Sequence, residues 1–129
     1  MITYTVVGTN YLSESSQFYD LILGLLGAKR VMEFDRGFAW AVAQDQPMFS
    51  VMTPFDEHKA TIGNGCMIAL NAENRDVVDK MHAMAIELGG ADEGPPGERS
   101  EGFYAAYFRD LDGNKICITY IEMPEPDSV

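Results

Sequence analysis

The sequence predicts a mixed α+β chain of two tandem βαβββ modules whose curved mixed sheets enclose a cavity. Three observations lead there. The order of one strand, one helix and three strands occurs twice along the 129 residues. Each helical stretch runs into glycine, at Gly27 and at Gly89-Gly90. The interval from Tyr4 to Gly27 equals that from Met67 to Gly90, and in this overlay Phe18 falls on Met81, Ile22 on Ala85 and Leu25 on Leu88. One helix covers one face of a four-stranded sheet, so the other face is left for a second module to close.

Residues 2–8 (ITYTVVG) alternate and are rich in Thr, Val and Ile, which predicts a strand closed by Thr9-Asn10. From Ser13, a candidate N-cap, the apolar positions Phe18, Tyr19, Ile22, Leu23 and Leu26 recur at helical spacing. Three short β-type runs follow at 29–35, 38–43 and 48–53, separated by Arg36-Gly37 and by Gln44 to Pro47. The stretch 54–65 (PFDEHKATIGNG) has no periodicity and divides the chain into module 1 at about 1–55, a linker at 56–64 and module 2 at about 65–123. Residues 66–71 predict a strand, and 75–88 a helix with Val77, Val78, Met81, Met84, Ala85 and Leu88 on one face. A less regular strand is expected near 91–99. Residues 103–109 and 115–121 alternate around Asp110-Leu111-Asp112-Gly113-Asn114 as a hairpin. The acidic, Pro-rich tail EMPEPDSV is expected to be ordered only at its start.

Nine Lys and Arg against twenty Asp and Glu give a net charge of −11, which repels nucleic acid and anionic membranes at long range. The N-terminus lacks the basic flank and apolar run of a signal peptide, and no stretch has the roughly 18 apolar residues a membrane span needs, so a cytoplasmic protein is expected. The only thiols, Cys66 and Cys117, form no CxxC pair and are expected to be reduced.

The paired βαβββ pattern, with TVVGTNYLSESSQFY opening the first module, GNGCMIAL the second and YFRDLDGNKI forming the last hairpin, resembles the glyoxalase/bleomycin resistance/extradiol dioxygenase group, the vicinal oxygen chelate superfamily. The resemblance spans residues 2–121. It implies a metal ligand on the first and last strands of each module. Those positions fall on Tyr4, Met67 and Cys117, with the fourth at or beside Phe49. A divalent ion in an open catalytic site needs three or four imidazole or carboxylate donors, and this set does not supply them. No metal and no cofactor are therefore expected.

Other chemistry has little support. His58 lies in the linker and His82 on the second helix, and neither belongs to an HxxxH or HExxH spacing. GxSxG, GxxxxGK[ST] and GxGxxG are absent. Asp110, Asp112 and Asn114 lack the twelve-residue calcium loop and are expected to be turn residues. Alternation along the strands predicts an apolar and aromatic cavity wall in which Tyr4, Trp40, Phe49, Met67, Tyr107, Cys117 and Thr119 contact a ligand. The expected function is binding of a small, largely apolar or aromatic molecule, as in the antibiotic-binding members of the group. One alternative is a glyoxalase-like lyase, isomerase or dioxygenase with an atypical or metal-free site, using groups such as Tyr4 and Tyr107. Another is a dimerisation module without ligand. A homodimer is expected in each case.

Overall fold

The computed structural model describes residues 1–122; the tail from residue 123 lies outside the described residues. Module 1 contains β1 (Tyr4–Gly8), α1 (Leu12–Gly24), β2 (Lys29–Phe34), β3 (Gly37–Ala41) and β4 (Met48–Met52). Module 2 contains β5 (Ile68–Asn71), α2 (Arg75–Glu87), β6 (Ala91–Ser100), β7 (Phe103–Arg109) and β8 (Lys115–Ile121). The two sheets have the same order, β1-β4-β3-β2 and β5-β8-β7-β6, each with a parallel pair on the first strand and antiparallel pairs beyond it. This is the expected tandem βαβββ architecture. The irregular strand near 91–99 is present as β6, whose pairing to β7 shifts register three times.

Local chemistry explains the element ends. Gly27 has φ 81° and Gly89 φ 105°, left-handed conformations that end both helical segments. The first N-cap differs from expectation. Helix α1 starts at Leu12 behind Tyr11, with no side-chain cap, and Ser13 lies inside the helix. Thr9 Oγ1 instead accepts from the Tyr11 amide at 2.9 Å, a turn that begins the helix one residue earlier. Helix α2 has a true side-chain cap, Asn74 Oδ1 accepting from the Val77 amide at 3.0 Å.

The two modules share one core. The overlaid helix positions are equivalent in burial: Phe18 and Met81 are 3% and 0% exposed, and Ile22 and Ala85 are both at 0%. Phe18 lies 6.0 Å from the Phe108 ring of the other module. A polar joint crosses the same interface. The Tyr19 hydroxyl donates to Asp110 Oδ2 at 2.6 Å, and Asp110 also accepts from the amides of Asp112 and Asn114 and from Asn114 Nδ2. The turn further grips module 1 through Asn114 Nδ2 to the Gly8 carbonyl and the Asn10 amide to Asp112 Oδ1. Asp110 and its neighbours are turn residues, as expected, but they are also the junction between modules.

The predicted closure of one sheet on the other does not occur within the chain. The modules meet through their helices, the backs of their sheets and the Asp110 turn, so the two open faces do not cover each other. Among the described residues no helix is long and apolar enough to cross a membrane.

Two stability effects follow. Removing the hydroxyl in Tyr19→Phe leaves a buried carboxylate short of a donor and is expected to cost about 2 kcal/mol in urea unfolding followed by Trp40 fluorescence. Asp20 accepts from Trp40 Nε1 at 2.9 Å and from Arg30 at 2.7 and 2.8 Å. Burial opposes ionisation there, but these bonds outweigh it and hold the carboxyl below its ordinary value. The bond is partly solvated, so Asp20→Asn is expected to lose about 1 kcal/mol or less at neutral pH. The difference from wild type should disappear as pH falls through the lowered Asp20 pKa, since a depressed acid contributes stability only while ionised.

Candidate functional site

Strand alternation sorts each sheet into a helix-facing and an open side. In module 1 the pairs Thr5 with Phe49 and Trp40 with Phe49 set Phe49 and Trp40 on the side of α1. There Phe49 lies 4.8 Å and Trp40 6.1 Å from the Tyr19 ring, and the Trp40 indole is satisfied by Asp20. The expected placement of Trp40 and Phe49 on the cavity wall is thus corrected: they pack in the core beneath α1, where Tyr19 stacks against both rings and Asp20 satisfies the indole.

Tyr4 does face the open side. It lines a groove of about 1020 Å³ with Val6, Met32, Phe34, Met48 and Met52, and with Phe55, Asp56 and Lys59 from the 53–67 connection. Tyr4 is 57% and Phe55 86% exposed, so ring surface is open to solvent along this groove. Arg36 at its edge is fixed by the Thr53 carbonyl at 3.0 Å and lies 5.2 Å from the Phe55 ring. His58 is not part of this wall; it lines a smaller neighbouring cleft beside Asp56, whose Oδ2 is 3.4 Å from its Nδ1. Met32, Phe34, Met48, Met52 and Phe55 are groove residues that alternation alone did not select. Both faces of module 1 are apolar, so only the register to β1 distinguishes them.

In module 2 the side away from α2 carries Tyr107, Cys117 and Thr119, paired as Tyr107 with Cys117 and Ala105 with Thr119; Ala105, Cys117 and Thr119 are buried there and Tyr107 half-buried. Met67 stands just before β5 at a cleft between the modules that adjoins the groove of Tyr4 at Val6, Gly8 and Thr61. The predicted residues therefore divide into Tyr4 on one open face, Tyr107, Cys117 and Thr119 on the other, Met67 at the boundary, and Trp40 and Phe49 in the core. Burial raises the Cys117 thiol above its ordinary pKa, with Tyr107, Arg99 and Lys115 opposing that rise. A buried, protonated thiol is a poor nucleophile. His82 is accounted for by packing, with Nε2 3.0 Å from Asp92 Oδ1.

With the two faces described, comparison with known proteins becomes informative. The family model described as Glyoxalase/Bleomycin resistance protein/Dioxygenase superfamily matches residues 1–118. The chain belongs to this superfamily. It is 36% identical to a glyoxalase/bleomycin resistance protein from Albidiferax ferrireducens, whose crystal structure superposes with TM-score 0.87 over 95% of this chain and 99% of that one. A hypothetical protein from S. aureus is 25% identical, with TM-score 0.66 over 93% and 96% of the two chains. A lactoylglutathione lyase from Agrobacterium tumefaciens, at 18% identity and TM-score 0.67 over 92% of each chain, shares the fold. No curated protein matches the chain.

The superfamily's metal positions can now be fixed by register. Val6 pairs with Ser50 as Ala69 pairs with Cys117, so the fourth position is Ser50, one residue from Phe49. The four side chains are a phenol, an alcohol, a thioether and a buried thiol, divided between two sheets that do not face each other. They do not fit a divalent ion. Among the described residues no three His, Cys, Asp or Glu side chains come together as a ligand set.

The two free thiols differ in environment, Cys66 exposed and Cys117 1% exposed. Thiol titration of the native protein with a disulfide reagent is expected to give one fast equivalent, Cys66, and a second only on unfolding. Two fast equivalents would mean that the face holding Cys117 is open to reagents.

Proposed function

We propose that this chain is a cytoplasmic binding protein of the superfamily that holds a small, largely apolar or aromatic molecule without the superfamily's metal. The observation that carries this reading is the uncovered apolar groove of module 1, where Tyr4, Phe34 and Phe55 present ring surface beside three methionines. Rings suit stacking on a flat ligand, and methionine side chains adapt to its outline.

An open groove buries too little of a ligand, since small-molecule sites commonly enclose about 70–90% of the ligand surface. A homodimer supplies the cover. In a two-fold pairing the module 1 face of each copy meets the module 2 face of the other, giving two equivalent cavities. On the module 2 face Ala105, Cys117 and Thr119 are already buried within the chain, so in such a pairing this face contributes mainly the half-buried Tyr107. The donor chemistry at Tyr4, Ser50, Met67 and Cys117 supports the metal-free reading.

Sedimentation velocity at micromolar concentration is expected to give a dimer, and planar aromatic compounds are expected to raise Tm in a thermal-shift screen. Phe34→Asp places a charge on the groove wall at a 41% exposed position, so it should dissociate the dimer and abolish the thermal shift while the monomer stays folded by circular dichroism. A dimer that no compound stabilises would favour a dimerisation module without ligand. Stoichiometric zinc, nickel or iron in protein purified without chelator would overturn the metal-free reading in favour of an enzyme.

A further inference from the structure

We propose that the open face of module 2 is a seat for the carboxylate of an organic acid, held by Arg99 and Lys115 beside Tyr107. The inference rests on the binding reading above for the placement of the ligand's apolar body, and adds the chemical class of its head.

The first argument is charge pairing. The chain carries a net charge of −11, and among the described residues three of its nine Lys and Arg side chains are in ion pairs: Arg30 with Asp20 at 2.7 Å, Arg109 with Glu93 at 2.7 Å and Arg75 with Glu98 at 3.6 Å; Arg99 and Lys115, both beside Tyr107, are among the six that are not. Glu93 is within electrostatic reach of Lys115, but its hydrogen bond goes to Arg109. Two cations left without carboxylate contacts on one face of an acidic protein form a local reversal of potential that attracts an anion.

The second is geometry. Arg99 Cζ lies 5.4 Å and Lys115 Nζ 5.5 Å from the centroid of the same Tyr107 ring. Like charges gathered at one ring repel each other, and an anion beside that ring is attracted by both. Arg99 is not a loose surface arm. Its guanidinium folds back over β6, donating to the Pro95 carbonyl, and occupies space kept clear by two glycines. A Cβ at Gly97 would stand 2.9 Å from Arg99 Nη1, and one at Gly94 would stand 2.9 Å from Tyr107 Cδ2. The EGPPGER segment thus seats the guanidinium against Tyr107. One N–H serves Pro95, and the fork has further donors for a carboxylate.

The third is the reach of that field. Arg99 and Lys115 both act on the Cys117 thiol, so their positive potential extends to the centre of the open face. On the module 1 sheet the equivalent positions are uncharged, and the cations that line its groove, Arg36 and Lys59, come from the β2–β3 turn and the connection between modules. By register Met48 occupies the place of Lys115 and Ala39 that of Tyr107. Bringing an apolar face against a cationic one gives a cavity with an apolar wall and an anion-binding wall, which suits an amphipathic acid.

The probes are 2-naphthoate and its neutral isostere 2-naphthamide, titrated calorimetrically into the full chain. Naphthoate is expected to bind about tenfold or more tightly than naphthamide, and to weaken with added salt while naphthamide does not. Arg99→Gln and Lys115→Gln should each lower naphthoate affinity about fivefold or more and leave naphthamide unchanged, with Arg99→Lys retaining most of the preference for the acid. Arg99 is exposed and Lys115 half-buried, and folding of each variant is checked by circular dichroism. Equal binding of acid and amide, or naphthoate affinity unchanged in both glutamine variants, would overturn the carboxylate seat and leave the apolar cavity standing. Failure of both probes to bind would count against the seat and the binding reading together.

Discussion

The carboxylate of Asp110 fixes how the two halves of the molecule meet. It is 5% exposed and accepts four hydrogen bonds, one from Tyr19 of the opposite module and three from its own turn. Burial lifts its pKa above the ordinary value even with those donors in place. A buried carboxylate is tolerated only where donors surround it, so the RDLDGN turn and Tyr19 act as one unit. Because that unit draws the turn of β7 and β8 toward α1 and the end of β1, the helices and the backs of the sheets become interior. The opposite faces are left outward. The location of the two outward sheet faces follows from this junction.

The duplicated scaffold is symmetric where it packs and asymmetric where it is open. At several core positions a large apolar side chain of one module is answered by an equally buried apolar one of the other, as Phe18 by Met81 and Val51 by Ile118. Such positions are held by volume, since protein interiors have little free space. On the open faces the counterparts differ in kind: Met48 against Lys115, Ala39 against Tyr107, Ser50 against Cys117. No internal packing holds these residues alike, and differences of this kind are what adapt a shared fold to one ligand.

Much of the fold was legible because it is written in local patterns. Apolar positions at helical spacing located both helices, and the Asp110 to Asn114 turn located the last hairpin to the residue. The site was less legible for a physical reason. Alternation says that Phe49 and Ser50 face opposite sides, but not which side the helix covers. Along β3 and β4 the bulky Phe38, Trp40, Phe49 and Val51 share one side and Ala39, Met48, Ser50 and Met52 the other, but a row of bulky apolar residues can equally pack under a helix or line a cavity. The deciding facts are the register of β4 on β1 and the Tyr19 to Asp110 bond, which joins residues 91 apart and leaves no local trace. The same limit left open whether the modules pair within or between chains, because a sequence shows that a face needs covering without showing what surface covers it.

The cationic face also bears on the metal. A thiolate ligand at Cys117 would require losing a proton from a buried sulfur whose pKa is raised by that burial. The nearby charges that ease this loss, Arg99 and Lys115, would themselves repel a divalent cation at the same spot. A positive potential in the position where metal-using relatives concentrate donors is consistent with a surface that recognises an anion.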